Sequence, residues 1–249
     1  MAYTVHTVSR SQVSSNYGTA AKSIADEIAA SFPGITLLSI TTDSSGTYDA
    51  LYTVQGCTTG VLRLGNFNSN SNRDFIVSFG VDPATANNYG RKQLKVGMNN
   101  GAGVSLSIIN TDGIYVFRNY VETANHCLWF GILHSKLDNS TIEVVFANSM
   151  DGVVLNSEND FKGAFVPKYN LWGDAQKAAL TGNTYMLCET VMTTNSAYAT
   201  KAPYLVNGHG PYTVYSGETL PGFGAIFTNG TDYFVIVDSE QGNCIAFRL

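Results

Sequence analysis

The sequence predicts an α+β fold that is predominantly β, with antiparallel sheets, one amphipathic helix near the N-terminus and a C-terminal β-hairpin module. Charged residues make up 13% of the 249 residues, against roughly 25% in ordinary soluble domains, which disfavours long solvent-exposed helices. Helical apolar periodicity is clear in one segment near the N-terminus. Strand-like segments alternate with Gly, Asn and Pro turns through much of the remaining chain.

The helix is predicted from Thr19 onward, where apolar residues recur at steps of three and four and form a stripe along one face. Either Asn16 or Thr19 can supply the N-cap oxygen, and Pro33 followed by Gly34 ends the helix. We expect the helix to pack on a sheet formed by the segments that follow. The stripe consists of Ala20, Ala21, Ile24, Ala25, Ile28, Ala29 and Phe32.

Two series of predicted strands follow the helix, separated by turn sequences rich in Gly, Asn, Ser and Asp. The first series is an antiparallel meander, in which Tyr48, Ala50, Tyr52 and Val54 alternate as expected for a strand with one buried face. Periodicity is lost over residues 151–169, and residues 174–180 fit a short helix. The first series comprises 35–41, 48–54, 61–64 and 75–79, and the second comprises 104–109, 113–119, 126–133 and 141–146.

The last 48 residues, 202–249, predict successive hairpins. Asn229 and Gly230 give the strongest hairpin signal, because a type I′ turn needs positive φ at both central residues. We therefore divide the chain into a helix-plus-antiparallel-sheet domain, 1–156, and a connecting segment with a C-terminal β module, 157–249, with a single domain as the alternative. The strand-like segments of this module are 204–206, 212–215, 222–227 and 233–237.

The composition argues against nucleic-acid binding and against membrane insertion. The net charge of -5 and the pI near 5.3 disfavour a surface that follows phosphates, which needs clustered Lys and Arg. The densest basic cluster, Arg91, Lys92 and Lys95, is small, and we interpret it as a solvated loop. No apolar run reaches the about 18 residues that indicate a membrane span. The N-terminus lacks the basic start and apolar centre of a signal peptide.

No pattern in the sequence predicts catalysis, a metal site or a cofactor. His126 and Cys127 are adjacent, and neighbouring side chains of a strand point to opposite faces, so we interpret the pair as part of a buried strand. The acidic residues are dispersed, without the carboxylate pair of a glycosidase, and no complete nucleotide-binding loop occurs. We therefore predict a non-enzymatic protein. Its isolated cysteines are expected to be free thiols: Cys57, Cys127, Cys188 and Cys244.

The closing module resembles the C-terminal portion of virion proteins from tailed phages and phage-tail-like particles of Gram-positive and gut anaerobic bacteria. The resemblance lies in its hairpins, an aromatic-rich strand and a strand that continues to the last residues. It implies a structural component of a tail, baseplate, collar or neck, or a decoration protein, made in the bacterial cytoplasm without a signal peptide. It implies no catalytic residues. The segments that carry it are 202–208, 220–227 and 229–233.

Low charge and 14 tyrosines favour an assembling protein independently, because weakly charged surfaces lose little hydration free energy on burial and Tyr is enriched at interfaces. We expect a homo-oligomer that also contacts other particle proteins. Two alternatives are a module that binds cell-surface glycans through the loops 66–72 and 208–211, and a cell-wall or glycan-cleaving enzyme with an unrecognised site. The candidate interface residues are exposed aromatics near turns: Tyr17, Tyr89, Tyr169, Trp172, Tyr198 and Tyr212.

Overall fold

The computed structural model describes residues 4–10, 16–32, 34–43, 46–67, 73–81, 91–98, 104–111, 113–119, 127–134, 141–147 and 151–155, together with the backbone of the strands between 164 and 248. These residues form one helix, α1 (Tyr17–Ser31), and eighteen strands. The strands are β1 (Thr4–Arg10), β2 (Ile35–Thr42), β3 (Tyr48–Val54), β4 (Gly60–Gly65), β5 (Asp74–Val81), β6 (Arg91–Gly97), β7 (Val104–Thr111), β8 (Ile114–Asn119), β9 (Cys127–His134), β10 (Thr141–Ala147), β11 (Asp151–Val154), β12 (Ala164–Pro167), β13 (Tyr185–Thr193), β14 (Tyr204–Leu205), β15 (Tyr212–Ser216), β16 (Ile226–Thr228), β17 (Asp232–Asp238) and β18 (Asn243–Arg248).

Helix α1 begins at Tyr17, two residues before the predicted start at Thr19, and the first of the two predicted N-cap candidates is the one used. The Asn16 side chain accepts a hydrogen bond of 3.1 Å from the Thr19 backbone N–H, and Asn16 is therefore the N-cap. The predicted apolar stripe faces the core, and the helix ends at Ser31 with extended backbone at Phe32. The buried residues on this face include Ala21, Ile24, Ala25 and Ile28.

The first sheet is a five-stranded antiparallel meander in the order β2-β3-β4-β5-β6. Its first four strands confirm the prediction, including the buried alternation of Tyr48, Ala50, Tyr52 and Val54. The interpretation of the basic cluster as a solvated loop is wrong, because Arg91, Lys92 and Lys95 lie in β6. Arg91 is held by hydrogen bonds to backbone carbonyls, the shortest from its guanidinium to the oxygen of Val81 at 2.8 Å.

The core lies on one face of this sheet. Helix α1 contacts β2, β3 and β4, whereas a second, six-stranded antiparallel sheet contacts β5 and β6. This second sheet has the order β1-β7-β8-β9-β10-β11. The two sheets meet at Phe79 of β5 and Phe130 of β9, whose rings stack with centroids 3.9 Å apart. The part of the chain described up to residue 155 is thus mostly β, with one amphipathic helix beside two packed antiparallel sheets.

The central strands of the six-stranded sheet, β8, β9 and β10, are buried on both faces along most of their length. Phe130 and Val145 face the five-stranded sheet, while Trp129 and Phe146 on the other face are also inaccessible to solvent and stack at 4.4 Å. Strands buried on both faces have near-continuous apolar sequences instead of an alternating pattern, which explains the sequence Cys127–His134.

The strands from residue 164 onward form a third, seven-stranded antiparallel sheet. Its order is β12-β13-β15-β18-β17-β16, and β14 also pairs with β13. Asn229 and Gly230, the segment 174–180 and the connection at 157–163 lie outside the described residues. The division of the chain near residue 156 remains a prediction.

Candidate functional site

Strand β2 is an open edge of the five-stranded sheet. Among the described strands it pairs only with β3. Ile35 is buried, but every residue from Thr36 to Thr42 is exposed. Natural edge strands are usually protected by charged residues or proline, and β2 contains neither.

Three large apolar side chains are exposed on this edge: Leu37 is 48% accessible, Leu38 54% and Ile40 46%. Leu37 pairs with Tyr52 and Ile40 with Ala50, and both of these β3 residues are buried in the core. Because paired residues share one face of a sheet, Leu37 and Ile40 continue the core face beyond the area that α1 covers. We call these three exposed residues the β2 patch.

A β-bulge in β2 places two residues of the patch on the same face of the sheet. The register between β2 and β3 shifts at Leu38, between the pairs formed by Leu37 and by Ser39. In a regular strand, residues 37 and 40 would lie on opposite faces, since side chains alternate with a period of two. The extra residue places both on the core face. A bulge can protect an edge by twisting it, but here it also concentrates apolar surface.

The second chemical feature is a buried carboxylate between the sheets. Glu143 of β10 is 4% accessible and accepts five hydrogen bonds from three consecutive residues, two in the turn after β3 and one at the start of β4. Thr58 donates through its backbone N–H at 2.6 Å and its hydroxyl at 2.8 Å. The Thr59 N–H reaches both carboxylate oxygens at 3.0 and 3.1 Å, and the Gly60 N–H donates at 2.8 Å. The carboxylate therefore fastens this turn to the six-stranded sheet.

The backbone that binds Glu143 is closely packed against neighbouring side chains. A β-carbon at Gly60 would overlap the ring of Phe79 and approach Leu155 Cδ1 to 2.8 Å, so only glycine fits where the backbone meets the carboxylate. Burial, and then the charge of Glu143, raise the pKa of the neighbouring Cys57 thiol to about 12. The nucleophilic form of cysteine is the thiolate, and Cys57 is thus held as the unreactive thiol at neutral pH. Glu143 thus fastens the turn at Thr58, and Cys57 packs against the core.

The predicted interface residues are described only in part. Tyr17 lies in the first turn of α1, half-buried and packed against the core. The backbone of Tyr212 lies in β15, paired with Glu189 and Ala246. The residues Tyr89, Tyr169, Trp172 and Tyr198 lie outside the described part of the chain, as do His126 and the loop 208–211.

Two other sequence interpretations can be compared with the structure. Cys127 is buried in β9, which confirms its interpretation as a core residue. The loop predicted at 66–72 is fixed at its start, because the Asn66 side chain accepts from the Tyr48 N–H at 2.6 Å and donates to the Gly46 oxygen at 3.1 Å. The side chain of Phe67 is buried as well. Asn66 and Phe67 are therefore not free to form the edge of a binding site, and residues 68–72 lie outside the described part of the chain.

The β2 patch was not predicted from the sequence, because the predicted interface residues were aromatic residues near turns. A signal was present: Leu37 and Leu38 are adjacent, which breaks strand alternation, and the strand from Ile35 to Thr42 is uncharged. An interrupted alternation of this kind is typical of a bulge, but it does not show that the apolar side chains are exposed.

Within the described residues, no group of three or more His, Cys, Asp or Glu side chains could hold a metal ion. The same part of the chain contains no helix with the length and apolar character needed to cross a membrane. Comparisons with protein-family models, with curated proteins and with solved structures found no match.

Proposed function

We propose that the protein is a non-enzymatic structural subunit that self-assembles, and that β2 is an assembly edge. The observation that carries this proposal is the β2 patch, in which apolar side chains lie beside backbone groups that pair with no other described strand. Exposed apolar patches and unpaired edges both favour association with another chain. Burying the patch removes apolar surface from water, and pairing the edge satisfies its N–H and C=O groups.

In this proposal the assembly is a phage virion or a phage-tail-like particle, in which the protein is a tail, baseplate, collar or neck component or a decoration protein. The resemblance of the C-terminal β-hairpin module to virion proteins supports this location, and so does the low charge of the chain. The structural roles of Glu143 and Cys57 support a function without catalysis. The predicted interface aromatics, including Tyr17 and Tyr212, would serve other contacts within the particle.

The mass of the purified protein, measured by light scattering over a range of concentrations, tests self-assembly. We expect multimers whose mass rises with concentration, and a lower mass for Ile40→Lys, because a charge at the edge opposes strand pairing. Gln93→Lys is the matched control, since Gln93 is exposed on β6 of the same sheet. Urea unfolding should show that both variants fold as stably as the wild type. A monomeric wild type at all concentrations, or an Ile40→Lys variant of unchanged mass, would contradict the proposal.

A further inference from the structure

We infer that β2 pairs with the β2 strand of a second copy in antiparallel orientation, which joins the two five-stranded sheets into one continuous sheet. This inference rests on the proposed self-assembly and names its partner. The partner is deduced from three properties of the edge: its charge, the faces of its residues and its length.

The charge distribution favours a second copy. No charged residue occurs between Ile35 and Thr42, so the edge offers nothing to a partner selected by opposite charge, and a second β2 brings no charge into the pairing. The first charged residue after the strand is Asp43. In a parallel pair the two Asp43 residues would lie side by side, and like charges in that position are destabilising.

Antiparallel pairing separates these carboxylates. A two-fold axis at Ile40 would place the two Asp43 residues six positions apart, which is about 20 Å at the rise of a β-strand. This distance exceeds the Debye length of about 8 Å at physiological ionic strength, so their repulsion is screened. The charge next to the strand therefore favours the antiparallel orientation.

The faces of the residues define the register. A two-fold axis perpendicular to the sheet keeps the core faces of both copies on the same side, and paired residues must come from equivalent faces. Ile40 lies on the core face, opposite Ala50, whereas Ser39 and Thr41 lie on the other face, opposite Leu51 and Asp49. An axis at Ile40 satisfies this requirement, pairing Ile40 with its own copy and Ser39 with Thr41.

An axis at Ser39 fails the same requirement. It would pair Thr41 with Leu37, and the bulge at Leu38 has placed these two residues on opposite faces. An axis at Thr41 would preserve the faces but would place Ile40 opposite Thr42, so the apolar Ile40 side chains of the two copies would not meet. The Ile40 register instead places the two Ile40 side chains directly opposite each other, and the bulge at Leu38 limits pairing to the residues that follow it.

A short edge pair predicts a weak contact. Interfaces below about 1,200 Å² are typically transient, and the paired segment from Ser39 to Thr41 of each copy, with a small apolar patch, belongs to this class. The contact should therefore depend on concentration in solution. In a particle with many copies, simultaneous contacts would increase its effective strength.

Disulfide trapping tests the register. Residues directly opposite in an antiparallel pair have β-carbons about 4.5–5.5 Å apart, close to the spacing that a disulfide needs. We expect Ile40→Cys to form a disulfide-linked dimer as its main species under mild oxidation of the full-length protein, with residue 40 identified in the link by peptide mapping. Thr36→Cys is the control on the same exposed strand, and it should remain unlinked because the register places it far from its copy.

The outcomes separate the inference from the proposed function. Linkage of both cysteine variants would indicate parallel pairing and overturn the inference. Absence of linkage through residue 40, in a protein whose multimers are still weakened by Ile40→Lys, would also overturn it and leave self-assembly through β2 standing with another partner strand. A wild type that stays monomeric, together with an unlinked Ile40→Cys variant, would overturn both.

Discussion

The carboxylate of Glu143 accepts a 2.6 Å hydrogen bond from the backbone N–H of Thr58, which lies 85 residues earlier in the chain. Glu143 belongs to the six-stranded sheet and Thr58 to the turn between two strands of the five-stranded sheet. With the hydroxyl of Thr58 and the N–H groups of Thr59 and Gly60, four donors converge on one side chain. This contact joins the two sheets by polar bonds beside the stacked rings of Phe79 and Phe130.

The substitution Glu143→Gln should destabilise the fold. The amide keeps one acceptor oxygen but turns donor hydrogens toward N–H groups, which leaves buried donors without acceptors. We expect the free energy of unfolding to fall by about 2–4 kcal/mol, since hydrogen bonds to a charged group and unsatisfied buried donors are each worth roughly 1–3 kcal/mol. Urea unfolding measures the change.

The control for Glu143→Gln is Asp26→Asn, which neutralises a carboxylate on the exposed face of α1. Asp26 pairs with Lys22 one helical turn away, and both side chains are more than half accessible, so its loss should not measurably change stability. Equal stability of Glu143→Gln and the wild type would mean that the carboxylate does not hold the turn.

The stability of the protein should decrease at alkaline pH. The pKa of Cys57 is raised from its ordinary value of 9.0 to about 12. Below pH 9 the thiol is protonated in both the folded and the unfolded chain, so its full contribution to the free energy of unfolding is present there. Between pH 9 and 12 the unfolded chain releases the proton more readily, and stability falls as the pH rises. Burial also raises the pKa of Tyr52 and Tyr115 above 10.0, which adds to the loss above pH 10.

Urea unfolding at pH 7, 9 and 10 tests the alkaline effect. The wild type should lose stability between pH 9 and 10, and Cys57→Ser should lose less over the same interval, because serine does not ionise there. The comparison uses the change with pH and not the stability at pH 7, which the substitution can alter by itself. Identical pH dependences for the two proteins would contradict the role of Cys57.

Much of the fold follows from local patterns in the sequence. The stripe that includes Ile24 and Ile28 predicts α1, and the alternation from Tyr48 to Val54 predicts β3. Strand β6 was missed because Arg91 and its basic neighbours obscured the alternation of two buried residues, Leu94 and Val96. Strand β1 was missed because its pairing partner is β7, about a hundred residues away, and its own sequence gives a weak signal.

The candidate site was less predictable because it depends on which strands the rest of the fold covers. The sequence predicts a strand at residues 35–41, but Leu37, Leu38 and Ile40 have the composition of a buried strand. Their exposure follows from the position of β2 at the edge of the sheet and from the extent of α1, which are properties of the assembled fold. Likewise, nothing near Glu143 in the sequence indicates that the turn at Thr58 will meet it.

The N-cap of α1 gives a local test. Asn16→Ala removes the oxygen that accepts from the Thr19 N–H, and we expect the free energy of unfolding to decrease by about 1 kcal/mol. Asn16→Asp retains an acceptor and adds a negative charge at the N-terminus of a helix whose first turn has no acidic residue. It should therefore be neutral or slightly stabilising. Thermal or urea unfolding compares the variants, and equal losses for both would show that the cap oxygen contributes little.

The ion pair between Arg63 and Asp49 tests geometry at constant charge. The guanidinium donates through Nε and Nη2 to both carboxylate oxygens, at 2.8 and 2.7 Å, and its carbon lies 3.8 Å from the centre of the Phe67 ring. Arg63→Lys keeps the charge but loses the paired bonds and the planar stacking. Because both side chains are largely buried, we expect a loss of about 1 kcal/mol in urea unfolding. Lys22→Arg, on the exposed face of α1, is the reciprocal control and should leave stability unchanged. If Arg63→Lys left stability unchanged as well, the charge alone would account for the ion pair. The two parallel hydrogen bonds on the outer face of the five-stranded sheet would then not contribute to stability.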